Sequence, residues 1–506
     1  MAQWHFIIRA QPTMPALAWV AAVRPGEVSV DCGTSVRTFD NGLVEGTWVG
    51  PADPALLPDS TTVFGSGLVQ RDGALIAIPA SHHLECIYFA RLADVLVVSN
   101  SLPGLMTAAG LQLERGVNYS DVFHEMCEGC WLIDDVAPGG LQLRHQHSLI
   151  PTTTVPITAW HVENLVIEPD LRVRAERRPR ETAWHSFAEF NERITRAAES
   201  LLANGHRPSV VALSGGYDSA AVAAIVARVG VRRAAGFTNA RPAANTDDVT
   251  DSGADIAAAL GMEFVGVDRL AYKNRTDLAE ADFLATGMPG EEMIFLGIEP
   301  ETRGGLLFNG YWAGTEWAEA TRNSWRNVAP ITTSGAGIGE YRLKADFAWV
   351  PLPVFGAIRT EDAPSLLDLP EMDPYRVGGN YDRPVARRLI EEAGLKRGTF
   401  ATAKRAVNVL PARDGPDVFS TAARESIAQF AAANGETLDW HRRRPFSRYE
   451  RALARAAQRL GLRALAGPLE LRQERLIHFE PTFGNLVLRW AVSIVSARYA
   501  AVQRAY

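Results

Sequence analysis

Ser214-Gly215-Gly216-Tyr217-Asp218-Ser219 sets two hydroxyls, two glycines and a carboxylate within six residues, directly after the apolar run Ser209-Val210-Val211-Ala212-Leu213. The glycines let the backbone approach a ligand closely, so that amide N–H groups can cradle an anion. The hydroxyls of Ser214 and Ser219 can donate to phosphate oxygens. Asp218 repels phosphate, and its presence points to an intervening magnesium ion. The chemistry of this set is the binding of a pyrophosphate group. A serine-capped glycine turn explains the glycines, but not the aspartate and the second serine between a strand and a helix.

The surrounding elements must hold that loop open to a ligand. A continuous apolar run such as 209–213 marks a strand buried on both faces. Residues 220–229 read as a helix and 234–238 as a second buried strand. Residues 251–260 read as a helix closing at Gly261, and 264–267 as a third strand. This β-α-β-α-β order predicts a doubly wound parallel sheet, in which ligands bind at the carboxyl ends of the strands. Upstream, Trp184, Phe187, Phe190, Ile194, Ala197 and Leu201 recur at helical spacing and predict an amphipathic helix over 183–203.

Residues 1–165 have a different texture. Short β-type runs at 4–9, 63–65, 74–78 and 95–99 alternate with Gly, Pro, Asp and Asn, and Asp72-Gly73 suits a hairpin turn. Residues 102–111 fit a short helix. The charged, proline-containing segment 176–181 reads as a linker, and the chain from about 385 onward is helical and rich in Arg and Ala. The expected fold class is α/β. A β-rich α+β sandwich over 1–165 precedes a doubly wound parallel-sheet domain with a helical C-terminal part over 183–506.

Composition narrows the partners. The 506 residues are 47% apolar and 22% charged, as in ordinary globular enzymes. A net charge of -7 gives no general attraction to nucleic acid or anionic membranes. Arg177, Arg178, Arg180 and Arg442, Arg443, Arg444 read as solvated boundary clusters, since no aromatic array accompanies them. Four cysteines are too few for a disulfide framework. Cys127 and Cys130 have CxxC spacing, with His82, His83 and Cys86 as companions, but ordinary thiols are the simpler reading. Residues 486–502 are apolar yet interrupted by Arg489 and Arg498, which predicts a core helix and not a membrane span. Residues 15–23 lack a basic segment before them, so no signal peptide is expected. The expectation is a cytoplasmic protein that binds neither nucleic acid nor membrane.

Residues 209–219 resemble the SGGxDS motif of the PP-loop ATP pyrophosphatase superfamily. The wider chain is similar to the asparagine synthetase family, most clearly at 209–270 and 381–405. The resemblance implies an Ntn-like, glutaminase-type N-terminal domain joined to a synthetase domain. Such enzymes cleave ATP to AMP and pyrophosphate, adenylate a carboxylate and let an amine attack it, with ATP and Mg2+ bound. Leu213, Ser214, Gly215, Gly216, Asp218, Ser219 and Gly310 would then bind nucleotide, and Phe237 and Thr238 fall where family members hold adenine through backbone groups. Asp247, Asp248, Asp251 and Ser252 resemble the family's acidic stretch. Independently, the same segment reads as a well-capped helix with structural acids. Tyr381-Asp382-Arg383-Pro384 through Gly394, Phe400 and Lys404 resembles the segment that supplies a catalytic lysine. Lys404 would neutralise charge on the α-phosphate and the oxyanion; a surface helix lysine is its plainer reading.

Two departures shape the expectation. Glutamine-hydrolysing members need a cysteine after the initiator methionine, and here Ala2 follows Met1, so that route is excluded and the domain is expected to serve as scaffold. β-Lactam synthetase and lasso-peptide macrolactam synthetase-like enzymes are the members closest in type. The family also carries a second magnesium-binding aspartate in the turn after a later strand. Here 309–317 contains none, leaving Asp218 and Glu316 for the metal. Tyr311 falls where β-lactam synthetase-like enzymes keep a tyrosine that deprotonates the amine, with Glu340, Asp346 or Glu292 as possible orienting partners. Tyr311, Trp312 and Trp317 also fit a packed aromatic patch.

The expected activity is AMP-forming amide or lactam synthesis in natural-product, antibiotic or modified-peptide biosynthesis. The substrate would be a small-molecule or peptide carboxylate and amine, with room for a homo-oligomer or a biosynthetic partner protein. The alternatives are an ammonia-fed asparagine synthetase-like enzyme and a non-catalytic ATP-binding protein. A tRNA-modifying PP-loop enzyme is disfavoured by the charge balance and by the lack of a sulfur-relay or zinc array.

Overall fold

The computed structural model describes residues 4–127, 130–131, 144–145, 147–240, 251–317, 327–328, 335–360, 366–378, 382–396, 407–438, 440 and 481–505. Lys404, Phe400, Tyr381, Asp247, Asp248 and Arg442–Arg444 lie outside the described residues.

Alternating apolar residues and tight turns build the first part of the chain into two facing sheets. Its strands are β1 (His5–Ala10), β2 (Trp19–Arg24), β3 (Glu27–Cys32), β4 (Arg37–Phe39), β5 (Gly42–Trp48), β6 (Val63–Arg71), β7 (Ala74–Ile78), β8 (Ile87–Leu92) and β9 (Val95–Ser99). They continue as β10 (Cys130–Trp131), β11 (Arg144–His145), β12 (His147–Ile150), β13 (Ile157–Trp160), β14 (Asn164–Ile167) and β15 (Val173–Glu176). Asp72 and Gly73 both take positive φ, 51° and 86°, which is the two-residue turn that matches strand twist between β6 and β7.

One sheet runs β1-β3-β2-β9-β8-β13-β12 and the other β15-β14-β7-β6-β5-β4. Trp19, Val28, Leu43, Leu68, Leu96, Val98 and Leu165 fill the layer between them. The helices Leu102–Ala109 and Tyr119–Cys127 pack on the outer face of the first sheet, the former capped by Ser101 and closed by Gly110 at φ 60°.

The second part is organised by a parallel sheet of β16 (Ser209–Ala212), β17 (Arg233–Phe237), β18 (Glu263–Val267), β19 (Leu306–Asn309) and β21 (Ala348–Pro351), with β20 (Asn327–Val328) pairing instead with β10. Its order is β18-β17-β16-β19-β21, and every pairing is parallel. Helices Phe187–Gly205 and Tyr217–Arg228 share one apolar core with β16 and β19, through Phe190, Ile194, Leu201, Ala221, Ile225, Val211 and Phe308. The chain is thus mixed α/β. The helix over 187–205 starts at the Ser186 cap, two residues after Trp184, because the Ser186 hydroxyl takes up the N–H of Glu189.

The two parts are not separate beads. The C-terminal helix Pro481–Ser496 lies on both N-terminal helices, and one core joins Leu102, Leu105 and Phe123 to Phe283, Tyr341, Trp490 and Tyr499. Among the described residues no helix is long and apolar enough to cross a membrane, and Trp490, Ala491 and Val495 are core residues.

Two readings of the sequence need correction. Arg178 is not solvated: it is 1% exposed, and its guanidinium donates to Ser81 Oγ and to the Pro79 carbonyl, each at 2.6 Å. The side chain of Arg180 is also buried, 3.7 Å from Glu163. The segment 176–181 is likewise no loose linker, since Glu181 exchanges backbone hydrogen bonds with Ile358 and Thr360. The buried Glu163, just before β14, accepts from the Arg178 backbone N–H at 2.6 Å across the neighbouring strands β14 and β15.

Candidate functional site

The strand order reverses between β16 and β19, so the loops leaving their carboxyl ends diverge and frame a crevice. The first of these loops is Leu213–Gly216, and the second is Gly310–Trp312. Sequence reasoning placed the SGGYDS motif at the end of a parallel strand, and the structure puts it there. Helix Tyr217–Arg228 starts at Gly216 without a side-chain cap, and Asp218 stands in its first turn. The positive end of the helix dipole therefore faces the crevice.

The loop is closed on itself through its hydroxyls. Ser214 Oγ and Ser219 Oγ are 3.0 Å apart, the Ser214 N–H donates to Ser219 Oγ at 3.1 Å, and the Gly216 N–H donates to Ser214 Oγ at 3.2 Å. The Gly215 N–H donates to Asp251 Oδ1 at 3.3 Å. These bonds sit at the long end of the N–H···O range. An incoming phosphate oxygen can replace them without leaving a donor unmade.

Two flanking segments clasp the loop. On one side, Ser252 bridges Ser214, and Leu213 is wedged between Gly236 and Gly253: a Cβ on Gly236 would stand 2.0 Å from the Leu213 carbonyl oxygen. On the other, a Cβ on Gly310 would stand 2.6 Å from the Asp218 carbonyl carbon and 2.8 Å from the Ser219 nitrogen. Gly310 is thus required because the second loop lies against the first turn of the motif helix. Two residues on, Trp312 holds φ at 75°, a strained value for a bulky side chain, stabilised by burial against His83.

Helix Pro384–Glu392 closes the third side. Arg387 is 1% exposed, donates to the Tyr217 hydroxyl at 2.9 Å, lies 5.1 Å from that ring's centre and pairs with Asp382 at 3.0 Å. Arg383, at the start of the helix, places Nε 3.9 Å from Asp218 Oδ1. Sequence reasoning quoted Arg383 but gave it no role, and Arg387 was missed. The available signal was an arginine pair at i and i+4 beginning a helix.

The other candidates fall as follows. Phe237 ends β17 and meets Phe295 edge-on at 6.1 Å. The Thr238 N–H donates to the Val267 carbonyl at 2.9 Å, and the Thr238 carbonyl accepts from Asp251 at 3.4 Å. The Thr238 N–H thus continues the pairing with β18, while its carbonyl ties the sheet to Asp251. The helix after Asp251 begins at Ala254, with no side-chain cap at Gly253. Asp251 therefore serves the loop, where the sequence suggested a helix cap.

Tyr311 meets Trp349 edge-on at 5.4 Å, and its N–H donates to Asn309 Oδ1. Burial, with the charges of Glu292 and Glu291, holds its hydroxyl well above the ordinary tyrosine range, so it stays protonated. Of its three suggested partners, Glu340 is bonded to Ser101 and Leu102, and Asp346 pairs with Arg207 at 2.7 Å. Glu292 is the one whose charge reaches Tyr311.

Burial, then the neighbouring Glu291, pushes the Glu292 carboxyl up to about 8. A proton held by the native state and not by the unfolded chain gives stability that is present below about 4.5 and lost as pH rises through about 8. Thermal midpoints measured from pH 5 to 9 should fall with rising pH, and Glu292→Gln should flatten that slope. An unchanged slope in the variant would remove Glu292 as its source.

No three His, Cys, Asp or Glu side chains converge to hold a metal among the described residues. Cys86 lies 3.3 Å from His161 and Cys130 packs in a different core, which gives no support to a zinc or redox pair. Magnesium commonly keeps several waters and binds through one or two carboxylates plus substrate phosphates. Asp218, partly exposed in the crevice, fits an ion that arrives with phosphates. Glu316 ends the short helix Ala313–Glu316 after β19; its side chain lies outside the description. No protein-family model matches the chain, and no curated protein matches its sequence.

Proposed function

We propose that this chain is an ATP-dependent carbon–nitrogen ligase of the asparagine synthetase type, which adenylates a carboxylate, releases pyrophosphate and passes the acyl group to an amine. The observation that carries the reading is the Ser214–Ser219 loop at the strand-order reversal, clasped by 251–253 and by Gly310 at the head of a helix. On this reading the N-terminal sandwich is an Ntn-like, amidotransferase-type scaffold without glutamine hydrolysis. The synthetase part is a PP-loop domain spanning 183–506.

The loop amides and the hydroxyls of Ser214 and Ser219 hold the pyrophosphate portion of ATP, which enters as substrate. Bound Mg2+ would supply charge neutralisation at the phosphates, held by Asp218 with Glu316 as the second acid available. Leu213, Phe237 and Thr238 border the end of β17, where the adenine is proposed to lie. Lys404 is the proposed counter-charge to the α-phosphate, and Tyr311 the proposed proton acceptor for the amine. Since Tyr311 keeps its proton in this arrangement, accepting one from the amine requires a base to take its own first. The acid and amine are a small molecule or a peptide, in one molecule or two, which suits amide or lactam formation in natural-product or modified-peptide biosynthesis.

Product analysis tests this reading. With Mg-ATP and acceptable acid and amine, nucleotide should appear as AMP with pyrophosphate. ADP with inorganic phosphate would sink it. A binding-only reading is favoured by one feature, the lack of any carboxylate from Asn309 to Thr315. It predicts ATP binding with no AMP formed.

A further inference from the structure

Arg387 is a fully buried cation on a helix whose other buried residues are apolar. Val385, Ala386, Leu389 and Ile390 share one core with Ala221 and Ile225 of the motif helix, and the guanidinium lies among them. It donates to the Tyr217 hydroxyl at 2.9 Å and stands 5.1 Å from the centre of that ring. It also pairs with Asp382 at 3.0 Å and donates to the Tyr375 carbonyl. Asp382 in turn accepts from the N–H groups of Val377 and Gly378, at 3.2 and 3.0 Å. One guanidinium therefore ties Tyr375 and Asp382 to the motif. Tyr217 is the first residue of the motif helix, between Gly216 and Asp218. Both Tyr217 and Arg387 are 1% exposed, so they act on a ligand through the backbone they hold.

We propose that Arg387 is a positioning residue for cleavage at the α-phosphate. Through Tyr217 it sets the angle of the first turn of the motif helix, and with it the direction of the Gly215 and Gly216 N–H groups and of Asp218. This rests on the adenylation reading and adds a residue to it. A buried ion pair adds little net stability over apolar residues of the same volume, and what it supplies here is a defined geometry. A ring packed only on apolar neighbours can slide, whereas a hydroxyl bonded to a planar, rigid guanidinium is held in place. In-line attack is sensitive to that placement: a shift of about 1 Å from a remote substitution can cost about 100-fold in rate. Binding of the phosphates in the ground state tolerates the same shift better.

Acid-dependent exchange of labelled pyrophosphate into ATP, followed as a function of ATP concentration, tests the assignment. The proteins are wild type, Tyr217→Phe, Arg387→Lys, Arg387→Met and the double variant Tyr217→Phe with Arg387→Met. Each rate is scaled to the folded fraction given by denaturant titration. Tyr217→Phe keeps the ring and removes the hydroxyl. It should lower the maximal rate by about 10- to 100-fold while the half-saturating ATP concentration stays within about threefold. Arg387→Lys keeps the charge and should recover part of the loss seen in Arg387→Met. The double variant should lose little beyond Arg387→Met, because the two residues act as one unit. Exchange by Tyr217→Phe within about threefold of wild type per folded molecule overturns the proposal, since even modest misplacement exceeds that. Losses that multiply in the double variant show two independent structural roles and also overturn it. Where Arg387→Met does not fold, Tyr217→Phe and Arg387→Lys decide alone. A wild type that exchanges with no acid overturns the adenylation reading, and this proposal with it.

Discussion

Arg342→Met should destabilise the protein by about 3–5 kcal/mol, the usual cost of leaving buried charges without their partner. Arg342 stands in helix Gly339–Ala345 and reaches into the N-terminal sandwich. It meets Glu45 Oε2 at 2.7 Å and Oε1 at 3.0 Å, and Glu85 Oε1 at 2.7 Å. All three side chains are at most 7% exposed. Glu45 also accepts from Ser66 Oγ at 2.7 Å, and burial pushes Glu85 up to about 7 even with the arginine beside it. Without Arg342, Glu45 and Glu85 lose the buried cation that both of them bond. Two residues earlier, Glu340 accepts from Ser101 Oγ at 3.0 Å and from the Leu102 N–H, so the same helix grips the sandwich twice. Denaturant titration checks the value. A loss below about 1 kcal/mol would show that the network does not hold the parts together. Glu45→Gln with Glu85→Gln should recover part of the loss in the Arg342→Met background.

Asp218→Asn should lower pyrophosphate-releasing turnover by at least about 100-fold, the scale of removing one charge-stabilising group from an active site. The substitution is isosteric and leaves the first turn of the motif helix intact. It removes the acid available to the metal and the charge that faces Arg383. Pyrophosphate binding without metal should persist, because its proposed donors are the loop amides and two serine hydroxyls. Turnover within about threefold of wild type would remove Asp218 from the metal's place, since even modest charge effects exceed that.

The legible parts of this chain were those written in local periodicity and turn chemistry. The Asp72-Gly73 hairpin, the apolar run of β16 and the glycines ending it all folded as their residues predict. Other features depended on contacts across long separations. Asp251 reads as a helix acid, yet it accepts from Gly215, 36 positions away. Arg178 reads as solvated, yet its partners lie 97 and 99 positions back, at Ser81 and Pro79. Nothing local distinguishes a buried arginine from an exposed one, because the pairing that permits its burial is tertiary. The linker 176–181 was misread for the same reason. The shared core was also hidden, because the apolar faces of the N-terminal helices look like those of any helix until Trp490 and Tyr499 cover them. Among the three acids proposed for Tyr311, sequence could not choose; Ser101 and Arg207 claim two of them, and that leaves Glu292.

We propose that ATP is split at its α-phosphate where β16 meets its helix. Exchange of labelled pyrophosphate into ATP reports that step most directly, measured with Mg2+ and a panel of carboxylic acids and compared in wild type and Asp218→Asn. Exchange should depend on one class of acid, need no amine and be lost in the variant. Absence of exchange with every acid, in a protein that still binds ATP, would contradict it and leave a nucleotide-binding protein without turnover.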